Sequence, residues 1–137
     1  MICEICSYYA TQGISLLDKL DELYKTYGYC LNTMHSYEFD GSAGFAKMQS
    51  IMQAFRGDIK DFGGKKVVKL LDYAPGLNGL PKSDVLKFLL EDNCSIVVRP
   101  SGTEPKLKTY ISVSAENKET AEAVEAEIRK SAEEFLK

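Results

Sequence analysis

Residues 95–113, "SIVVRPSGTEPKLKTYISV", place several anion-binding residue types between two strand-like apolar runs. Arg99 can offer a planar fork of N–H donors, and Ser101 and Thr103 offer hydroxyl groups. Gly102 has no Cβ, so main-chain N–H groups beside it can approach a ligand closely. Because a phosphate group needs several donors, at least one of them cationic, we predict that this loop binds phosphate.

The residues around this loop support the same prediction but also allow a simpler one. Pro100 and Pro105 fix φ near −65° on either side, which lowers the cost of ordering the loop on binding. Lys106 and Lys108 are two residues apart in the following strand, so both can face the mouth of the loop. The P-S-G-T tetrapeptide is also typical of an ordinary turn with Arg99 as a solvated strand end. Spacing alone leaves both interpretations open.

The four cysteines and the single histidine are the other candidate ligands. Cys3 and Cys6 form a C-x-x-C pair. A zinc site would require a second such pair or an H-x-x-x-H motif, and neither follows in the sequence. We therefore predict that Cys3, Cys6, Cys30 and Cys94 are buried free thiols. One histidine, His35, excludes a multi-histidine metal site and is predicted to be structural.

Length and charge exclude some classes of function. A chain of 137 residues is long enough for one domain with a core. Its net charge of −3 and pI of about 5.2 give no overall basic field, so an anion must be bound locally. No apolar run approaches the ~20 residues of a membrane-spanning helix, and the N-terminus lacks the pattern of a signal peptide. We predict a cytoplasmic protein.

The first 28 residues are predicted to be helical. Residues 2–9 are mostly apolar, and Ser15, with Asp18 three residues later, is a candidate cap for a helix that ends at Gly28. This helix has an apolar stripe formed by Leu16, Leu17, Leu20, Leu23, Tyr24 and Tyr27. Because the stripe needs a partner surface, residues 1–28 are interpreted as a separate helical appendage.

The rest of the chain predicts an α+β domain. Alternating residues at 29–39 indicate a strand, and residues 39–58 indicate a helix whose inner face is Phe45, Met48, Ile51, Met52 and Phe55. Four further strands are predicted at 65–73, 84–90, 94–99 and 106–113. Asn117 then caps a helix to residue 137, with Ala121, Val124, Ile128 and Phe135 facing inward and its charged residues in solvent. Consecutive strands imply an antiparallel sheet, with both helices covering one face.

The segment "RPSGTEPKLKTYI" resembles the phosphate-binding signature of the C-terminal domain of the α-D-phosphohexomutases, the family of phosphoglucomutase and phosphomannomutase. The segment "ICEICSYYATQGISLLDKLDELYKTYGY" is similar to the end of the third domain of bacterial phosphoglucomutases. The resemblance covers essentially the whole chain. It implies a TATA-binding-protein-like fold of order β-α-β4-α over residues 29–137, preceded by a helical tail of the third domain over residues 1–28.

The resemblance also implies roles for individual residues. It makes Arg99, Ser101, Gly102 and Thr103 contacts to the phosphate of the substrate that is not transferred. Lys108 lies where relatives have a basic residue before an aromatic one, and we add it to the predicted site. The motif residues Glu104, Pro105 and Lys106 are expected to shape the loop.

The catalytic parts of the family are expected to lie outside this chain. The resemblance implies a mechanism for the complete enzymes of the family. In this mechanism a phosphoserine passes its phosphoryl group to the sugar through a hexose 1,6-bisphosphate intermediate, and an aspartate-rich loop holds Mg²⁺. The sequence contains no T-A-S-H-N-P serine loop, no D-G-D-x-D-R metal loop and no G-E-x-S-G sugar loop. We therefore predict a fragment that is inactive alone, contains no catalytic or metal residue and binds no cofactor. Its expected partners are a sugar phosphate and the remaining domains.

Other functions remain as alternatives. A nucleic-acid-binding module fits the sheet-plus-helices pattern, but the acidic pI and the scattered strand aromatics Tyr37, Phe88 and Tyr110 weigh against it. A purely structural domain with an ordinary turn is the second alternative. Within the family, the motif looks most like phosphoglucomutase, with phosphomannomutase, phosphopentomutase and amino-sugar phosphomutase as the other options. The sugar loop is absent, so this chain does not decide which sugar is preferred.

Overall fold

The computed structural model describes residues 1–41 and 43–136. Ser42 and Lys137, which belong to two of the predicted helical segments, lie outside the described residues. The helices are α1 (Ile2–Ala10), α2 (Leu16–Tyr27), α3 (Gly44–Phe55) and α4 (Lys118–Glu134). The strands are β1 (Tyr29–Glu38), β2 (Asp61–Phe62), β3 (Lys65–Asp72), β4 (Leu86–Leu90), β5 (Ser95–Pro100) and β6 (Lys106–Ala115). None of the helices in these ranges is long and apolar enough to cross a membrane.

The strands form one antiparallel sheet in the order β1-β6-β5-β4-β3-β2. The predicted α+β class is confirmed, with one strand more than the sequence indicated. The extra strand, β2, has two residues and pairs with the start of β3. Two residues are too few to show an alternating pattern, so periodicity could not detect this strand.

Helices α3 and α4 bury their apolar sides against one face of the sheet. The core includes Met48, Ile51, Met52 and Phe55 of α3, Ala121, Ile128 and Ala132 of α4, and Phe88, Ile96, Val98, Leu107, Ile111 and Val113 of the strands. At the centre, the rings of Phe55, Phe62, Phe88 and Phe135 pack together. Phe45 departs from the prediction, because it lies in the first turn of α3 with 44% of its surface exposed.

Helix α4 is capped by Asn117, whose side chain accepts a hydrogen bond from the main-chain N–H of Thr120, as predicted. The prediction that the charged residues of α4 face solvent is wrong for Glu125, which is 7% exposed. Its Oε1 accepts a hydrogen bond of 2.7 Å from the Thr33 hydroxyl and lies 2.7 Å from His35 Nε2. Glu125 therefore joins α4 to β1 through a buried polar contact, in which His35 takes part.

The Glu125 contact predicts a pH-dependent stability. Burial raises the pKa of Glu125, but hydrogen bonds from Thr33 and His35 outweigh burial and hold its pKa below the ordinary value of 4.5. A carboxyl group with a lowered pKa stabilises the fold above its unfolded pKa, and this contribution is lost as the pH falls through the folded pKa. We expect Glu125→Gln to lower the free energy of unfolding by about 1–3 kcal/mol at pH 7 and by much less near pH 3. Urea titrations of both proteins across this range measure the difference, and parallel pH profiles would contradict the assignment.

Helices α1 and α2 do not join this core. Ser15 and Asp18 form the predicted reciprocal cap of α2, and Gly28 ends the helix with φ of 90°. However, neither helix contains a buried residue, and the apolar residues Ile2, Ile5, Tyr8, Leu16, Leu17, Leu20, Leu23 and Tyr27 are exposed. The apolar stripe of α2 is thus present as predicted and lies at the surface.

The prediction of buried thiols is correct only for Cys94. Cys3 and Cys6 are exposed because they lie on α1, which contributes no residue to the core. Cys30 is exposed because it alternates with core-facing residues on β1 and points away from the helices. Apolar neighbours in sequence therefore did not imply burial at these positions.

Candidate functional site

The predicted phosphate loop connects β5 to β6, and the strand register places its two main cations side by side. Arg99 is directly opposite Lys108. Their neighbours Val98 and Leu107 are fully buried in the core. Because side chains alternate along a strand, Arg99 and Lys108 both point away from α3 and α4. Directly opposite residues have Cβ atoms about 4.5–5.5 Å apart, so both cationic groups can reach one ligand.

A concave pocket of about 110 Å³ lies beside this pair, lined by Arg99, Pro100, Ser101, Lys108 and Tyr110. The fold thus brings three of the five predicted site residues to one pocket. Gly102 and Thr103 lie at the exposed turn beyond it. Tyr110 was not predicted as a site residue, although it lies two residues after Lys108 and alternation already placed it on the same face.

The turn itself is held by hydrogen bonds within the loop. The Ser101 hydroxyl oxygen accepts from the main-chain N–H of Thr103 at 3.4 Å and of Glu104 at 3.3 Å. The Ser101 N–H donates to the Lys106 carbonyl at 2.7 Å, and the Lys106 N–H donates to the Glu104 carbonyl at 2.7 Å. These contacts order the loop without a ligand and leave the Ser101 hydroxyl hydrogen available as a donor.

Gly102 is not required by packing against the rest of the chain. A Cβ at this position would meet no atom within 4 Å, and Gly102 does not have a positive φ. The space in front of the turn is open to solvent. The structure is therefore compatible with a ligand that approaches the main chain at this residue.

Lys106 has a different role from its neighbour Lys108. Its ammonium group lies 3.1 Å from Glu38 and 3.4 Å from Glu104, and hydrogen bonding to Glu38, followed by Glu104, raises the pKa of Lys106. Arg99 and Lys108 have no carboxylate partner within 4.0 Å among the described residues. The two cations at the pocket are therefore available to an anion, whereas Lys106 ties the loop to β1.

The connection between β1 and α3 supports the other end of the loop. The Phe39 N–H donates to the Pro105 carbonyl at 2.9 Å. Gly44, the first residue of α3, packs so closely that a Cβ there would lie 3.0 Å from the Pro105 Cβ and still closer to the Phe39 carbonyl oxygen. The sequence motif does not include this support, which comes from residues more than 60 positions away.

The residues of the described ranges do not fit a metal site. Within residues 1–41 and 43–136, no three His, Cys, Asp or Glu side chains group closely enough to hold a metal ion. The chemistry that the site residues offer is the binding of an anion by a guanidinium group, an ammonium group, a hydroxyl and the main-chain N–H group of Gly102.

The fold is an α+β domain, in which two helices cover one face of an antiparallel sheet. Paired cations beside a tight loop give this domain a candidate anion site. Residues 40–131 match the family described as phosphoglucomutase/phosphomannomutase, C-terminal domain. This chain belongs to that family.

Curated relatives and a solved structure agree with the family. The chain is 36% identical over 117 residues to a phosphoglucomutase of Staphylococcus saprophyticus, covering 77% of this chain and 21% of the relative. It is 34% identical over 130 residues to a phosphoglucomutase of Staphylococcus aureus, covering 85% of this chain and 23% of the relative. The fold is similar to the open form of pp63/parafusin, a phosphoglucomutase from Paramecium, with a TM-score of 0.59, 24% identity, and coverage of 89% of this chain and 22% of that one. The chain thus spans about a fifth of the length of these proteins.

Proposed function

We propose that this chain serves as the C-terminal domain of a phosphoglucomutase-like enzyme that interconverts hexose 1-phosphate and hexose 6-phosphate. In this proposal, residues 29–137 bind the phosphate group that is not transferred, and residues 1–28 belong to the preceding domain. The names of the curated relatives support the enzyme class. The exposed apolar residues of α1 and α2 support the second assignment, because such a surface is typical of a contact with another domain.

The observation that carries the proposal is the cross-strand pairing of Arg99 with Lys108 beside Ser101. The guanidinium group of Arg99 can bind two phosphate oxygens at once, and the Lys108 ammonium group adds a second positive charge. The Ser101 hydroxyl can donate a further hydrogen bond. The main-chain N–H group of Gly102, which has no partner among the described residues, adds a further donor on a loop whose turn is held by its own hydrogen bonds.

The domain would contribute positioning to the reaction of the complete enzyme. A phosphate group held at the loop fixes the far end of the sugar and brings the reacting oxygen to a defined place. Closure of the domain over the substrate would exclude water that competes for the transferred phosphoryl group. Since the described residues do not fit Mg²⁺, the metal and the bisphosphate intermediate expected for the family belong to other parts of the enzyme in this proposal.

The alternative sugars stay open, and the structure weakens the case for nucleic acid. Phosphomannomutase, phosphopentomutase and amino-sugar phosphomutase would use the same phosphate contacts. Stacking on nucleic acid needs aromatic rings on an exposed sheet face. Phe88 is buried, and Tyr37 faces α4 with its hydroxyl 3.2 Å from Glu133, so Tyr110 is the only one of the three strand aromatics beside the pocket.

An NMR titration of the 137-residue chain tests the phosphate site. We expect glucose 1-phosphate and inorganic phosphate to shift the amide signals of residues 99–108, with a dissociation constant on the order of millimolar, about 4 kcal/mol of binding free energy. Glucose, which lacks the phosphate, should cause no shift at these residues. Arg99→Gln should abolish the response to both phosphates. An unchanged spectrum of the wild-type chain, or an equal response of the variant, would contradict the proposal.

A further inference from the structure

The face of the sheet that points away from α3 and α4, here called the outer face, carries most of its charge as cations. The register and the alternation of side chains assign to this face six basic residues and two acidic residues of the strands. The basic ones are Lys66, Lys69, Lys87, Arg99, Lys106 and Lys108, and the acidic ones are Glu38 and Asp61, which is opposite Lys66. The outer face is therefore positive although the net charge of the chain is −3.

Four of these cations form a diagonal row across four neighbouring strands. Lys108 on β6 is opposite Arg99 on β5. Lys87 on β4 is opposite Val97, two residues before Arg99, so it is the diagonal neighbour of that arginine. Lys87 is also opposite Leu71 on β3. Lys69 lies two residues before Leu71, so it is the diagonal neighbour of Lys87 on that side. Each diagonal step spans about 7–8 Å, within reach of long side chains.

The two lysines of this row that lie outside the loop have no acidic partner. Among the described residues, no carboxylate oxygen lies within 4.0 Å of the ammonium group of Lys69 or Lys87. By contrast, Lys65 and Lys106, which also lie in the sheet, are paired with Asp92 and with Glu38. The charge of Lys69 and Lys87 is therefore not neutralised by the chain itself.

We propose that Lys87, together with Lys69, extends the cationic site from the loop across the outer face and attracts phosphate monoester dianions to Arg99 and Lys108. This inference rests on the proposed function, because it assumes that the loop is the end point of the attraction. Neither lysine belongs to the loop motif. They act at a distance, as positioning residues for the approaching anion, and make no contact with the phosphate once it is bound.

The expected size of the effect follows from the separation of the charges. Lys87 lies one diagonal step, about 7–8 Å, from Arg99. A single charge at about this distance from a dianion held by Arg99 changes its affinity by roughly 2- to 4-fold at ~0.1 M ionic strength, where the Debye length is about 10 Å. At ~1 M ionic strength the Debye length falls to about 3 Å, and the effect should disappear. A role that depends on direct hydrogen bonding or on loop folding would persist at high salt.

The test is a titration of the 137-residue chain with glucose 1-phosphate at these two ionic strengths, followed by NMR at residues 99–108. We expect Lys87→Gln to weaken binding about 2- to 4-fold at ~0.1 M and not at ~1 M. The Lys69→Gln/Lys87→Gln double variant should add less than about 1.5-fold to this loss, because Lys69 lies two diagonal steps from Arg99. Lys130→Gln is the matched control, because this substitution also removes one positive charge. Lys130 is exposed on α4, which covers the opposite face of the sheet. Lys130→Gln should change the dissociation constant by less than about 1.5-fold, as expected for a charge that lies more than a Debye length from the bound phosphate.

The outcomes separate this inference from the proposed function. If Arg99→Gln abolishes binding but Lys87→Gln behaves like Lys130→Gln, the loop binds phosphate and the extension is wrong. If Lys87→Gln weakens binding equally at both ionic strengths, attraction at a distance is also wrong. If the wild-type chain shows no response to glucose 1-phosphate, both the proposed function and the inference about Lys87 are wrong.

Discussion

Replacing Arg99 by alanine is expected to lower kcat/KM of the complete enzyme by about 30- to 1,000-fold, or roughly 2–4 kcal/mol of transition-state stabilisation. Among the residues that the structure describes, two unpaired cations lie next to the pocket, and Arg99 is the one that can bind two phosphate oxygens at once. Its loss leaves a phosphate dianion beside Lys108 alone. Because the misplaced far end of the sugar also displaces the reacting oxygen, both binding and turnover should fall.

Two further variants make this prediction specific. Arg99→Lys retains the charge without the planar fork and should recover only part of the lost activity. Arg129→Ala removes an arginine from α4, where its partner is Glu133 at 3.9 Å, and should leave kcat/KM within about 2-fold, as is usual for an exposed pair. A coupled assay for glucose 6-phosphate measures all three enzymes. If Arg99→Ala retains the kcat/KM of the unmodified enzyme, the loop does not bind the substrate phosphate.

Gly63→Ala is expected to destabilise the fold strongly. Gly63 lies in the turn between β2 and β3 with φ of 57°, and a Cβ there would lie 2.5–2.7 Å from main-chain atoms of Glu127 and Ile128 in α4. Main-chain atoms in the middle of a helix cannot move aside as a flexible side chain can. The left-handed conformation and the forced displacement of α4 together should cost about 2–5 kcal/mol.

The adjacent glycine offers a matched control. Gly64 also has a positive φ, of 78°, but a Cβ there would meet no atom within 4 Å. Gly64→Ala should therefore cost only the backbone strain, about 1–2 kcal/mol. Urea unfolding followed by circular dichroism gives the free energy of unfolding for both variants. Equal losses at the two positions would show that contact between the turn and α4 does not limit stability.

Periodicity predicted the large elements of the fold because they bury one side of a regular pattern. The strands around Val98 and Ile111 alternate cleanly, and the caps at Ser15 and Asn117 mark two helix starts. Burial of a particular polar residue is harder to predict, because it depends on what faces it across the core. Helical spacing puts Glu125 on the same side of α4 as Ala121 and Ile128. Its hydrogen-bond partners, Thr33 and His35, lie on β1, and the sequence of α4 does not reveal them.

The candidate site was predictable as a motif but not as a surface. The loop residues are adjacent in sequence, so their types and spacing were enough to indicate an anion site. The pairing of Lys106 with Glu38 requires the register between β1 and β6. The diagonal row from Lys108 to Lys69 requires the order of four strands. Strand order and register result from long-range packing, which a single sequence does not display.

The strand register that places Arg99 opposite Lys108 also limits how this domain can diverge. An insertion of one residue within β5 or β6 would turn every later side chain to the opposite face, burying a cation and exposing core residues such as Val98. Lineages of this domain should therefore gain and lose residues elsewhere. Residues 74–82, in the connection between β3 and β4, lie outside the strand ladder and can change in length without reversing any strand. Length variation is thus expected to concentrate there, while the two strands that present the cations keep a constant length.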